Sequence, residues 1–176
     1  VAAVWADNGS GQRGDLKAVV RAVLLDAEAR AASTAPSGGK LREPVQRLLQ
    51  WGRSFNAASP TGLWNIGDTS NPATRLGQSP LRSPSVFNFF RPGYVPPGST
   101  LGANAVTAPE FQLCNESTAA GYLNFLQTAI GSGIGEVKAS YTAELALAAD
   151  APALVADLAL RLGGGAISAE TQSAIA

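Results

Sequence analysis

The chain has no histidine, no methionine and a single cysteine, Cys114. Without histidine it cannot build a Ser-His-Asp triad, a Cys-His pair, an imidazole base or a histidine metal site by itself. With one cysteine it cannot form an internal disulfide or a cysteine-based zinc or iron–sulfur centre. Charge is sparse as well, at 15% of residues. No apolar run approaches the ~18 residues that span a bilayer, so no membrane span is expected. The chain starts at Val1 without a methionine anywhere, and the expectation is a piece of something longer.

What is present suits a folded domain. The 176 residues are 45% hydrophobic, and a chain of this length buries about 70% of its unfolded surface. The 13 basic and 13 acidic side chains cancel, yet they are sorted along the chain. Residues 1–91 hold 11 basic and 6 acidic groups; residues 92–176 hold 2 and 7. The simplest consequence is basic and acidic helices that pack together. The alternative is a basic face, from Lys40, Arg42, Arg47, Arg53, Arg75, Arg82 and Arg91, that meets an acidic partner. With no nucleic-acid-binding motif and no net positive charge, nucleic acid is not expected to be that partner.

Helical periodicity dominates. Leu16, Val19, Val20, Val23 and Leu24 form one stripe behind an Asp15 N-cap, predicting a helix to about Ala29 or Arg30 before the Ser33–Gly39 loop. Leu41, Val45, Leu48, Leu49 and Phe55 form a second stripe, with Pro44 in its first turn. Ala119, Tyr122, Leu123, Leu126 and Ile130 form a third, capped at Asn115 or Ser117 and stopped at Gly131. Residues 139–149 read as helical, Asp150–Pro152 starts a further helix that Gly163–Gly165 ends, and Ser168 caps the next. No strand alternation stands out. The predicted class is all-α, an irregular helical domain over residues 1–176, with C-terminal helices from 115 to 176.

Residues 56–114 break the pattern. They hold eight of the eleven prolines together with Leu63, Trp64, Ile66, Leu81, Val86, Phe87, Phe89, Phe90 and Tyr94. So many apolar groups argue against disorder. A long ordered Pro/aromatic-rich segment is expected between the helices, its rings plugging gaps and one or two short helical turns near Val86–Phe90. Arg82, Asn88, Arg91 and Tyr94 are the candidate binding residues, because aromatic faces and guanidinium groups suit sugar stacking or anion binding.

Other motifs point to packing. Gly9–Gly14 matches G-x-G-x-x-G, but no strand precedes it and no parallel strand follows, so it reads as a helix–helix turn rather than a dinucleotide site. The same loop lacks the spacing and closing Glu of a calcium loop. Cys114 reads as a packed small residue, having no base partner. No catalytic residue, metal ligand or cofactor is assigned.

Several stretches together resemble a known family. Asp7-Asn8-Gly9-Ser10-Gly11 leads into Arg13-Gly14-Asp15-Leu16 and Ala18-Val19-Val20-Arg21. Further on come Leu24-Leu25-Asp26, Lys40-Leu41-Arg42-Glu43-Pro44-Val45 and Leu76-Gly77-Gln78-Ser79-Pro80-Leu81. Pro84-Ser85-Val86-Phe87-Asn88-Phe89-Phe90-Arg91-Pro92-Gly93-Tyr94 and Ala108-Pro109-Glu110-Phe111-Gln112 complete the set. They resemble the C-terminal part of the bacterial family called domain of unknown function 1800. That resemblance implies a helical protein of several hundred residues with an export signal, hence an extracellular, periplasmic or cell-surface location. It also implies a neighbour from the family called domain of unknown function 1501 as a candidate partner, beside the remainder of the parent chain. It supplies no catalytic residues.

The leading expectation is a non-catalytic packing or interaction module of an exported bacterial protein. The alternatives are one wall of an enzyme acting on an extracellular polymer, or a subunit of a cell-surface assembly. The enzyme alternative requires Asn88 and Arg91 to be exposed in a concave pocket. The assembly alternative requires a large exposed apolar patch.

Overall fold

A computed structural model describes residues 1–31 and 41–176. Ser33–Gly39 and Lys40, named above for a loop and a basic face, lie outside the described residues. The described residues form nine α-helices, one 3-10 turn and no strand, so the protein is all-α. Isolated bridges occur only as pairs such as Ala58 with Lys138 and Ile134 with Val137. Contacts group the chain into two compact units, Val1–Gly39 and Lys40–Ala176.

The first unit contains α1 (Ala2–Ala6), α2 (Leu16–Leu24) and α3 (Ala27–Arg30). Asp7 Oδ1 accepts from the N–H groups of Gly9 and Gly11, and Asn8 Oδ1 from those of Ser10 and Gln12. Asn8 Nδ2 then donates to Asp15 Oδ2 at 2.7 Å, while Asp15 Oδ1 caps α2 through Ala18 N–H. The glycine-rich stretch is therefore a helix–helix turn, with Asp7 bonded to backbone N–H groups and Asp15 to Ala18 N–H and the Asn8 side chain. These bonds, Asn8 first, lower the Asp15 pKa. The helix expected to run to Ala29 or Arg30 breaks at Leu25, because Asp26 accepts from Glu28 N–H and opens α3 as a new N-cap. Its stripe residues Leu16, Val20, Val23 and Leu24 are exposed.

The second unit is built on α4 (Pro44–Ser54) and α6 (Glu116–Ser132). Pro44 sits at the first helical position, where a missing N–H costs nothing. Asn115 caps α6, its Oδ1 accepting from Ser117 and Thr118 N–H. Leu48 and Trp51 of α4, with Phe55 just after it, meet Tyr122, Phe125 and Ala129 of α6, and Leu76, Ile134 and Val137 close the core. Then follow α7 (Thr142–Leu145), α8 (Ala151–Gly163) and α9 (Ala169–Ile175). Asp150 and Ser168 cap the last two, as the sequence predicts. Gly164 ends α8 at φ +61°, a left-handed turn that a Cβ would oppose.

Two helix faces differ from the predicted stripes. In α4, Leu49 is exposed and Trp51 takes the buried place. In α6, Gly121, Tyr122, Phe125 and Ala129 are buried, whereas Leu123 and Ile130 are 59% and 54% exposed. That helix stops at Gly133 rather than Gly131. Both flanks of α6 are apolar, so periodicity alone does not say which one meets the core.

Residues 56–114 are irregular apart from α5 (Thr100–Ala103) and a 3-10 turn at Pro109–Gln112. Side chains bonded to backbone give the segment its order. Buried Gln78 is the clip: its Oε1 accepts from Val45 N–H at 3.1 Å, and its Nε2 donates to Glu43 Oε2. Thr69 Oγ1 donates to the Gln78 carbonyl. Glu136 holds a second loop, accepting from Ser59 Oγ at 2.8 Å, Thr61 Oγ1 and Asn65 N–H at 3.0 Å. No helical turn forms at Val86–Phe90. Ser85 Oγ accepts from Phe87 N–H and Asn88 N–H donates to Ser85 O, so a tight turn replaces the predicted helix.

Candidate functional site: an exposed apolar ridge and an apolar cleft

The expected plugging of helix gaps by the segment's rings does not occur for its middle part, because helix-borne Trp51, Phe55, Tyr122 and Phe125 already fill the core. Leu81 is fully exposed, Val86 is 95% exposed and Phe87 63%. Phe89 and Phe90 are half-buried. Leu81 and Asn88 both adopt positive φ, +60° and +68°. For a bulky L-residue the left-handed region costs about 1–2 kcal/mol, so Leu81 is held out by its turn and gains no burial there.

The four predicted binding residues have different partners. Arg82 Nη1 pairs with Asp68 Oδ2 at 2.9 Å, both side chains exposed. Asp68 has a lowered pKa through the Ser70 hydroxyl and N–H first, with Arg82 a smaller cause. Asn88 is exposed and lines a hollow of about 400 Å³ with Glu43, Gln78, Leu81 and Phe89. Arg91 donates its backbone N–H to Gln112 Oε1, and its side chain is exposed outside that hollow. Tyr94 is half-buried, its carbonyl accepting from Ala108 N–H. Asn88 thus lines this hollow and Arg91 lies outside it.

A larger concavity was not foreseen. A cleft of about 800 Å³ is lined by α6 and α8 and floored by Trp51 of α4 and by Phe55 just after it. Leu123, Leu126 and Ile130 form one wall; Leu154, Leu158 and Leu162 form the other. α4 packs on α8. The polar groups around the cleft are mostly committed. Gln50 Nε2 donates to the carbonyls of Arg161 and Leu162, both at 2.9 Å, and Arg42 Nη1 donates to Leu162 O and Gln50 Oε1. Trp51 Nε1 donates to Tyr141 OH at 2.8 Å. Arg161 bridges Glu144 Oε1 at 2.7 Å and Asp157 Oδ2 at 2.9 Å. Arg47 differs: its guanidinium carbon lies 5.6 Å from the Tyr122 ring centre, and among the described residues it forms no ion pair. Burial raises the Tyr122 pKa, partly countered by Arg47. The signal for this cleft was present as Leu123, Leu126 and Ile130, read from spacing as core.

Cys114 is half-buried and desolvation raises its pKa, which suits a packed residue and not a nucleophile. Among the described residues no group of three or more His, Cys, Asp or Glu could hold a metal ion. Also among them, no helix is long and apolar enough to cross a membrane. No match was found among curated proteins or among solved structures. The family described as "Protein of unknown function (DUF1800)" matches residues 1–176. By that match, over every residue given, the chain belongs to the DUF1800 family.

Proposed function

We propose that this chain is a non-catalytic interaction module of an exported bacterial protein, working through the ridge around Leu81, Val86 and Phe87. Export and bacterial origin enter through the family resemblance. The supporting observation is a strained, fully exposed Leu81 next to exposed Val86 and Phe87. Apolar groups held out of the core on ordered turns gain stability only when a partner covers them. The candidate partners are the remainder of the parent chain and a protein of the family called domain of unknown function 1501. The four polar residues would then rim the contact, Arg82, Asn88 and Arg91 setting orientation and Tyr94 supporting the turn beneath.

The test is a triple variant, Leu81→Ser, Val86→Ser and Phe87→Ser, in the intact parent protein. Because these side chains bury little, circular dichroism and Tm should match the wild type, while the size of the native assembly by light scattering should fall. An unchanged assembly, or a cooperative loss of fold, contradicts the proposal.

A further inference from the structure

We infer that the cleft between α6 and α8 is a binding site for an elongated apolar ligand with a carboxylate head, a monomeric long-chain carboxylate, anchored by Arg47. The volume of about 800 Å³ lies in the range of ligand pockets, and two rows of aliphatic side chains line it. The head group follows from which polar atoms are left over. Gln50 is bonded to the end of α8, and Trp51 and Tyr141 are bonded to each other. Glu144 faces Arg161; its second oxygen, Oε2, has no hydrogen-bond partner but is sealed from solvent, so an occupant does not meet it. Arg42 already donates to Leu162 O. Arg47, half-buried over the Tyr122 ring and within reach of its hydroxyl, is a lining cation that forms no ion pair among the described residues. A guanidinium beside apolar walls recognises a carboxylate by paired N–H donors, and low local polarity strengthens that bond. Leu123 and Ile130 are more than half exposed on α6 although apolar, as expected of a wall that a ligand covers.

The test is calorimetric titration of the 176-residue chain with dodecanoate, dodecylammonium and dodecanol, each below its micelle concentration. Dodecanoate should bind at one site, and at least tenfold more tightly than the other two. Arg47→Gln should weaken dodecanoate about tenfold or more, the scale of a lost charge-assisted bond, with little effect on dodecanol. Arg47→Lys should stay within a few-fold of wild type. Leu123→Gln, an exposed wall position that leaves the core intact, should weaken all three. No binding, equal affinity for the three heads, or an unchanged Arg47→Gln overturns the inference. Tighter dodecylammonium binding also overturns it and points to Glu144 instead. Binding to phosphatidylglycerol vesicles without binding of monomeric dodecanoate overturns it in favour of a membrane surface.

Discussion

Single residues carry the irregular architecture of the second unit, and three of them give sharp tests. Gly121 lies where a Cβ would come 2.2 Å from the Ala73 carbonyl oxygen and 2.8 Å from Thr74 N, both backbone. Gly121→Ala should therefore destabilise by at least about 1–3 kcal/mol through overpacking, read as a fall in denaturant midpoint. Gly131, in the same helix with open space around it, is the control, and Gly131→Ala should be neutral or gain up to about 1 kcal/mol. Gln78→Leu keeps the volume but strips Val45 N–H and Glu43 of their bonds, and should cost about 1–3 kcal/mol. Glu136 has a lowered pKa, chiefly through the Thr61 hydroxyl, then Asn65 N–H and Ser59. A carboxylate lowered in the folded state stabilises above its unfolded pKa and loses that effect as pH falls through the folded value. Below the ordinary glutamate value of 4.5, the 58–66 loop should loosen, seen as faster amide exchange at Asn65. Glu136→Gln should show that faster exchange already at neutral pH.

At the scale of elements, helix existence was legible and helix facing was not. Asp15, Asn115, Asp150 and Ser168 all cap where their residue type and position say they should, since capping is a local interaction between a side chain and the next turn. Facing is set by what lies across the interface. α6 turns Gly121 inward against the irregular chain at Ala73, an approach that no spacing rule reveals. The same rotation moves Leu123, Leu126 and Ile130 to the cleft, so the cleft was read as core. The Val86–Phe90 turn was misread for another local reason, the Ser85 hydroxyl competing for Phe87 N–H. α2 and α3 offer a direct check of capping. Asp26→Ala should cost about 1 kcal/mol of local stability, seen as faster exchange at the first amides of α3, with α2 unaffected.

Seen as a whole molecule, the protein has no histidine and one cysteine and leaves Leu81, Val86 and Phe87 exposed to solvent. The irregular Pro/aromatic segment that carries Arg82, Asn88, Arg91 and Tyr94 was legible because it departs so clearly from helical pattern. The turns that carry Leu81 and Asn88 at positive φ were not legible, since no spacing rule marks a left-handed non-glycine residue. The most direct test of the interaction module places a photo-crosslinking p-benzoylphenylalanine at position 87 of the intact parent protein in its native host. A second version at Gln127, exposed on α6 away from the ridge, is the control. The proposal predicts a discrete cross-linked adduct from position 87 and none from position 127, the adduct being lost in a Leu81→Ser, Val86→Ser background. No adduct from position 87, or the same adducts from both positions, contradicts it.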